Sequence, residues 1–168
     1  HSQRAVRASL LVRPAPVGAR RLLSSKLVSM KAGTGRPPGH GRRGVEPPLG
    51  GFAAGAVSRF AHVFQSPGPI YEPGMRGGDW WRLGRFLHAC GVGRGDIVQN
   101  CFSYHLTPAG MMFENAAEAV GAVVLPAGTG QTDQQVEAAR DVGATVYAGT
   151  PDFLKVILDR ADETGVRL

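Results

Sequence analysis

The sequence predicts an α/β fold, in which an open parallel β-sheet is flanked by helices. Short apolar runs of strand length alternate along the chain with segments whose apolar residues recur at helical spacing. The connections between them are a few residues long and are rich in Gly, Pro, Thr and Asp. This alternation, with connections so short, favours right-handed βαβ units on a parallel sheet.

Residues 1–45 are predicted to form a disordered basic leader. They hold ten of the 19 Lys and Arg residues and none of the 13 Asp and Glu residues. The leader has few aromatic residues and runs into a Gly-, Pro- and Arg-rich stretch at 33–48, so it cannot bury enough apolar surface to offset the entropy of ordering. Such a leader is also typical of an organellar transit peptide or of an RNA-binding arm. The first residue, His1 rather than Met, also fits a truncated or misread reading frame.

Residues 46–168 are predicted to be one domain or part of one. They hold the other nine basic residues and all 13 acidic ones. We therefore expect no nucleic-acid partner for this domain, and RNA binding is an alternative only for the leader. No apolar run approaches the roughly 18 to 20 residues of a membrane span. Cys90 and Cys101 have neither a CxxC partner nor clustered His residues. We therefore expect two buried free thiols in a reducing, cytoplasmic compartment, and no metal site.

The first elements of this domain are a strand and a helix. Alternating side chains predict a strand at Arg59–Gln65, which ends in the turn residues Ser66–Pro69. Asp79 is predicted to cap the helix, and Gly91 to end it in the left-handed conformation. The side chains expected at helical spacing are Trp80, Leu83, Leu87 and Cys90.

A strand at Ile97–Phe102 is predicted to follow a glycine-containing turn. Thr107 is of the N-cap type, and Pro108 is favoured as the first residue of a helix. That helix is expected to run to about Val120 and to stop at a glycine. The unbroken apolar run Ala122–Leu125 predicts a strand that is covered on both faces.

The last elements repeat the pattern. Thr132 and Gln135 have the spacing of a capping box for a helix that reaches about Asp141. Ala144–Ala148 is predicted to be a strand, and Thr150-Pro151 to begin the last helix. The side chains expected at helical spacing there are Phe153, Val156, Ile157 and Arg160.

Polar residues collect where the strands end, and open α/β sheets bind ligands at that edge. Tyr104 offers a flat apolar face, and both it and His105 precede a helix start that favours an anion such as a carboxylate. The alternative is that Tyr104 belongs to the core and His105 to an exposed loop. Gly128-Thr129-Gly130 lacks the third glycine of a dinucleotide fingerprint, so we interpret it mainly as a tight turn, with part of a pocket wall as the alternative. Glu114 and Glu118 lie four residues apart with no adjacent His, and we expect both to be solvated.

An ordered set of motifs resembles the phenylacetate-CoA ligase family of AMP-forming, adenylating enzymes. The matching pieces are Arg94-Gly95-Asp96-Ile97-Val98-Gln99-Asn100, Tyr104-His105-Leu106-Thr107-Pro108-Ala109-Gly110, Gly121-Ala122-Val123-Val124-Leu125-Pro126, Gly130-Gln131-Thr132 and Thr150-Pro151. Each piece is a weak signal, but five in order with compatible spacing are fairly specific. The resemblance covers about residues 46–168 and implies the front part of the family's large amino-terminal domain.

The resemblance implies an enzyme that activates an aryl or other carboxylic acid with ATP and Mg²⁺ and then passes the acyl group to coenzyme A. It implies a substrate pocket formed by Tyr104, His105, Leu106, Thr107, Pro108 and Gly130. The family's acidic metal-binding motif, ribose-binding aspartate and catalytic lysine have no match in the sequence. We therefore assign no catalytic residue and expect the chain alone to be inactive. Its expected partners are a small carboxylic acid and a missing carboxyl-terminal portion of the same chain.

The segment Ser66–Ile70 stands where adenylating enzymes have a phosphate loop that is rich in Ser, Thr and Gly and ends in Lys. Only Ser66 and Gly68 match that pattern, two prolines remove amide donors, and no Lys follows. Such a degenerate phosphate loop is expected to hold a triphosphate poorly. It leaves open a second interpretation, a non-catalytic ligand-binding or interaction module derived from the same fold.

Overall fold

The computed structural model of the chain describes residues Ser9–Leu10, Leu49, Ala53, 55–66 and 70–168. The strands are β1 (Ser9–Leu10), β2 (His62–Ser66), β3 (Ile70–Gly74), β4 (Ile97–Asn100), β5 (Val123–Leu125) and β6 (Val146–Gly149). The helices are α1 (Gly84–Ala89), α2 (Ala109–Ala119), α3 (Thr132–Val142) and α4 (Pro151–Thr164). Apart from Ser9–Leu10, the predicted leader lies outside the described residues, and so do residues 67–69 of the predicted turn.

The main sheet has β4 at its centre, with β5 and β6 parallel to it on either side. Val98 of β4 is level with Val124 of β5 and Val146 of β6. The short strand β1 pairs antiparallel with the other edge of β6. The structure therefore confirms the predicted α/β fold with an open parallel sheet and flanking helices.

The helices cover the sheet in two pairs. Val98 packs in one cluster with Leu87 of α1 and Phe113 of α2. Tyr147 of β6 packs in the other with Val136 of α3 and Ile157 of α4. Because successive strand residues face opposite sides of a sheet, α1 and α2 lie on one face and α3 and α4 on the other.

Strand β5 differs from its prediction. The side chain of Val123 is 61% exposed, and Val124 and Leu125 are only partly buried. The expectation of a strand covered on both faces is therefore wrong. The reason is that β5 forms an edge of the sheet within the described residues, where fewer neighbours surround an apolar side chain.

A separate two-stranded hairpin precedes the sheet. The predicted strand Arg59–Gln65 begins later, at His62, and pairs antiparallel with β3, which the sequence analysis missed. Pro73 lies within β3 and is accommodated because an outer strand leaves one row of backbone groups unpaired. The backbone N–H of Gln65 donates to the carbonyl of Leu106 at 2.8 Å. The hairpin is thereby joined to the loop that follows β4.

Helix α1 is shorter than predicted. A turn closed by the Arg82 N–H and the Asp79 carbonyl, 2.7 Å apart, precedes it, and the helix begins only at Gly84. The Asp79 carboxylate still serves the helix start, because both its oxygens lie 3.0 Å from the Gly84 nitrogen. Gly91, with φ of 83°, ends the helix as predicted, and the Val92 N–H reaches back to the Leu87 carbonyl at 3.0 Å.

The two cysteines are both free, but only one of them is buried. Cys101 packs between β6 and α3, and burial raises the pKa of its thiol to about 12. Cys90 is exposed, so the prediction of two buried thiols is wrong for this residue. It follows the last residue of the short helix α1, beyond the part that packs on the core.

In the described part of the chain, no helix is long and apolar enough to span a membrane.

Adjacent residues of α4 test how the helices are held to the sheet. Ile157 is 1% exposed and Leu158 is 46% exposed. We expect Ile157→Ala to lower the free energy of unfolding by about 2 to 5 kcal/mol, because it removes buried methyl groups and leaves a cavity. Leu158→Ala, the control, should change it by less than about 0.5 kcal/mol. Urea denaturation measures both, and equal effects would contradict the placement of α4.

Candidate functional site

The carboxyl end of β4 carries two buried amide side chains. Gln99 is 4% exposed and Asn100 is fully buried. As neighbours in a strand, they face opposite sides of the sheet. Buried amides need hydrogen-bond partners. Asn100 finds them in the loop after β4 and the first turn of α2, and Gln99 finds them at Gln135 of α3.

Asn100 organises the loop that follows β4. Its Nδ2 donates to the Tyr104 hydroxyl and to the Gly110 carbonyl, both at 2.8 Å. Its Oδ1 accepts the N–H of Phe102 at 3.3 Å. One side chain thus joins the end of β4, the ring of Tyr104 and the first turn of α2.

The ring of Tyr104 packs against Gly110. A Cβ at this position would lie 2.8 Å from both Cγ of Tyr104 and the backbone oxygen of Ser103. The N–H of Gly110 donates to that same Ser103 oxygen at 2.9 Å. The ring therefore lies against the helix backbone, and only glycine leaves room for it. Tyr104 as a whole is half-buried.

Burial is the main cause that raises the pKa of the Tyr104 hydroxyl, and the negative charge of Glu114 raises it further. The hydrogen bond from Asn100 acts in the opposite direction. Glu114 is half-buried whereas Glu118 is exposed. The expectation that both carboxylates are solvated agrees with the exposed Glu118, whereas Glu114, one helical turn after Gly110, is partly shielded.

The loop from His105 to Pro108 is held in a tight turn. The N–H of Thr107 donates to the carbonyl of His105 at 2.6 Å, and Leu106 between them has φ of 58°. A three-residue turn with positive φ is rare and strained. The side chain of Leu106 is 68% exposed, and that of His105 is also exposed. Both side chains are open to a ligand at this edge.

Thr107 does not cap α2, contrary to the prediction. The helix begins at Ala109, Pro108 occupies the cap position in helical conformation, and no side chain accepts a first-turn N–H. The backbone carbonyl of Ser103 takes the Gly110 N–H instead. Because the chain turns tightly at Leu106, Pro108 and not Thr107 occupies the cap position.

Gln135 of α3 forms hydrogen bonds to the loop Gly128–Gly130. Its Nε2 lies 3.0 Å from the Gly128 carbonyl and 2.9 Å from the Gly130 carbonyl. Its Oε1 accepts Nε2 of Gln99 at 2.9 Å and the thiol of Cys101 at 3.1 Å. The predicted capping box of Thr132 and Gln135 is therefore wrong, because the amide is 4% exposed and bonds to a loop instead of to the helix start.

The two loops meet at Asn100. Its side chain binds Tyr104, and its carbonyl accepts the N–H of Gly128 at 2.9 Å. The structure thus brings the loop Tyr104–Pro108 and the loop Gly128–Gly130 to the same edge of the sheet. Among the predicted site residues, Ser66 ends β2 and pairs with Ile70 across the hairpin, whereas Gly68 lies outside the described residues.

The sequence analysis missed the buried amides and Gly110. Gln99 and Asn100 follow the apolar residues of a central strand. Amide residues at the end of an apolar strand are the sequence feature that could have indicated their role. Gly110 in the first turn of a helix was another, because glycine there weakens a helix unless something approaches closely. No group of three His, Cys, Asp or Glu residues in the described ranges could hold a metal ion.

Comparison with known proteins gives a partial match. No protein-family model matches the chain. The chain is 29% identical over 126 residues to the phenylacetate-coenzyme A ligase of Aromatoleum evansii, a match that covers 71% of this chain and 28% of the relative. It is 30% identical over 84 residues to the enzymes of that name from Pseudomonas putida and Thermus thermophilus, covering 50% of this chain and 19% of each relative. The chain therefore spans a minor part of the length of the curated relatives it matches.

The close contact between Gly110 and the Tyr104 ring can be tested by substitution of the glycine. We expect Gly110→Ala to displace the ring and to destabilise the fold by about 1 to 3 kcal/mol, because the added methyl group meets a backbone oxygen as well as the ring. Gly93→Ala is the control, since the nearest atom to its added Cβ is 4.0 Å away, and it should change stability by less than about 1 kcal/mol. Thermal unfolding and the NMR signals of the Tyr104 ring report both effects. An unmoved ring in Gly110→Ala would refute the close contact.

The amide of Gln135 can be tested by Gln135→Leu. We expect each group left unpaired to cost about 1 to 3 kcal/mol, and hydrogen exchange at residues 127–131 to accelerate. The exposed neighbour Gln134 provides the control, and Gln134→Leu should have little effect. The double variant Gln99→Leu/Gln135→Leu should lose less stability than the two single variants combined, because it removes both partners of a buried bond. Strict additivity would show that the two amides act independently.

Proposed function

We propose that the chain is the amino-terminal part of an AMP-forming acyl-CoA ligase, and that its loop Tyr104–Pro108 forms a wall of the carboxylic acid pocket. The observation that carries the proposal is the fixed ring of Tyr104 between the carboxyl end of β4 and the start of α2. Ligands of open α/β sheets bind at this edge. The partial similarity to phenylacetate-coenzyme A ligases supports the same assignment.

The chemistry of the loop suits an acid with an apolar tail. The ring of Tyr104 is flat and rigid, and Leu106 exposes an aliphatic side chain beside it. The first N–H groups of α2 provide partial positive charge for a carboxylate. In the proposed pocket, Tyr104 and Leu106 contact the tail, His105 to Pro108 form the wall, and Gly130 borders it from the next loop.

The proposed reaction uses ATP, Mg²⁺ and coenzyme A, but the sequence of the segment 66–70 does not suit a triphosphate site. Ser66 and Ile70 are paired in a hairpin, and the intervening Pro67-Gly68-Pro69 includes two residues that cannot donate a backbone hydrogen bond. We therefore derive no step of the reaction through ATP or the metal, and assign to this chain the recognition of the acid. Free thiols at Cys90 and Cys101 agree with a proposed cytoplasmic location.

The proposal is tested with the full-length protein, ATP, Mg²⁺ and a panel of aryl and alkyl acids, by measuring release of pyrophosphate and AMP. We expect acid-dependent release, and a KM for aryl acids that rises by about tenfold in Tyr104→Ala because an aromatic contact is lost. Tyr71→Ala is the control, since Tyr71 is exposed on the hairpin, and its KM should change less than about twofold.

The proposal fails if the full-length protein releases neither product with any acid and binds none of them. Acid binding without ATP binding, measured by calorimetry, would instead favour the non-catalytic module. Thermal unfolding of Tyr104→Ala and of Tyr71→Ala establishes that both variants are folded.

A further inference from the structure

Strand β6 is buried like an interior strand, although one of its edges is only half paired. All four of its residues are buried, as is usual for a parallel strand covered on both faces. One edge pairs with β4. At the other edge, within the described residues, only Ala148 and Gly149 have partners, which are Leu10 and Ser9 of the short strand β1. The first two residues of β6 therefore leave this outer edge available to a longer neighbour.

The crossover connections of the sheet determine where a further parallel strand can pair. The chain passes from β4 to β5 through α2, which lies on one face of the sheet. It then passes from β5 back across β4 to β6 through α3, which lies on the opposite face. Opposite directions on opposite faces give the two crossovers the same hand, and crossovers in parallel sheets are right-handed with few exceptions.

Helix α4 follows β6 and lies on the same face as α3. Ile157 of α4 and Val136 of α3 pack in one cluster with Tyr147 of β6. A right-handed crossover whose helix lies on this face moves across the sheet in the direction from β5 to β6. A parallel strand that follows α4 must therefore lie beyond β6, at its outer edge, and not beyond β5.

Helix α4 also returns the chain to the edge of the sheet where such a strand begins. Its 14 residues span about 21 Å, whereas the four residues of β6 span about 13 Å. The helix ends at Gly165, which has φ of 67°, and the N–H of Val166 donates to the Ala161 carbonyl at 2.8 Å. Val166 packs against the cluster between the two helices and the sheet. The chain therefore leaves α4 close to the sheet, near the amino ends of its strands.

We propose that the outer edge of β6 is the docking site for the segment that follows α4 in the full-length protein, which pairs there as a parallel strand, and that Ser9–Leu10 takes this edge only where that strand is absent. The inference rests on the proposed function in one respect, that the chain is the amino-terminal part of a longer enzyme. The two occupants exclude each other, because both need the outer backbone groups of Ala148 and Gly149.

The docked strand would bring further residues to the ligand edge of the sheet. A strand parallel to β6 ends at the same edge as β4, where the loop Tyr104–Pro108 lies. Neighbouring strands lie about 4.8 Å apart, so its end would be about 10 Å from the end of β4. Residues that follow the docked strand are then placed to border the proposed acid pocket.

The first measurement is hydrogen exchange at residues 146–149, in the 168-residue chain and in the full-length protein. Successive N–H groups of a strand point to opposite sides, so Ser9→Pro/Leu10→Pro removes whichever donor of β1 faces β6. In the 168-residue chain we expect exchange to accelerate about tenfold, the effect of one lost hydrogen bond. In the full-length protein we expect a change of less than about twofold, because the docked strand protects the same edge. Leu22→Pro/Leu23→Pro, the control outside β1, should leave exchange unaltered in both.

The second measurement locates β1 by nuclear Overhauser effects in the unmodified proteins. Paired residues of antiparallel strands have Cα atoms about 4.5 to 5.5 Å apart, so Leu10 and Ala148 should give cross-strand signals in the 168-residue chain. These signals should be absent from the full-length protein. Val98 and Val146, which are paired between β4 and β6, provide the control and should give signals in both proteins.

Three results would overturn the inference. Equal acceleration in both proteins, or signals between Leu10 and Ala148 in the full-length protein, would show that β1 keeps the edge. No acceleration in the 168-residue chain would refute the pairing of β1 with β6. If the proline variant of that chain regains protection as its concentration rises, and sediments as a dimer, the edge binds a second copy instead.

The outcomes also separate this inference from the proposed function. Neither measurement depends on the release of pyrophosphate or AMP. A full-length protein that is inactive with every acid can still show the docked strand, and the ligase proposal then fails alone. An active protein in which β1 keeps the edge of β6 would refute the docked strand and leave the ligase proposal in place.

Discussion

Gln99 and Asn100 place two primary amides inside the molecule at the end of β4, and the loops of the site depend on the partners that these amides require. Gln99 turns to the α3 face and meets Gln135, whereas Asn100 turns to the α2 face and meets Tyr104. A buried polar group without a partner costs about 1 to 3 kcal/mol, so the loop after β4 is favoured in a conformation that serves Asn100. Gln135, which serves Gln99, in turn bonds to the loop Gly128–Gly130. The buried amides of β4 therefore help to determine the conformation of the loops at this edge of the sheet.

Close packing of α2 completes this arrangement. Ala116 and Ala117 are fully buried against the sheet, and small side chains there allow the helix to approach closely. The rings of Phe102 and Phe113 stack with centroids 4.4 Å apart, which fixes the helix relative to the strand end. Since packing already determines where the helix lies, its first turn can bond to the backbone of Ser103 and needs no cap from Thr107.

The parts of the fold that could be predicted are those whose causes are local. The alternation of apolar strands and helices indicates the parallel sheet, and the helix stops at Gly91 and Gly121 follow from positive φ angles that glycine adopts readily. Thr150-Pro151 likewise marks the start of α4. The hairpin strand β3 was missed because Pro73 and the preceding turn residues argue locally against a strand, and only pairing with β2 reveals it.

The bond between Gln99 and Gln135, which escaped prediction, joins residues that are far apart in sequence. Thr132 and Gln135 match the local pattern of a capping box, yet Gln135 bonds to Gln99 and to the loop before α3. A local rule weighs only the partners within one helical turn, whereas a buried amide takes the best partners in three dimensions.

The bond between Gln65 and Leu106 brings together two segments that the sequence keeps far apart. It sets the end of β2, where adenylating enzymes carry their phosphate loop, beside the loop that we assign to the acid. Activation of a carboxylate by ATP requires the acid and a phosphate to lie in contact, so this neighbourhood suits the proposed reaction. The ring of Tyr104 is held by Asn100 and Gly110, neither of which belongs to the hairpin. The contacts that hold Tyr104 in the proposed acid pocket therefore do not involve the proline-containing turn.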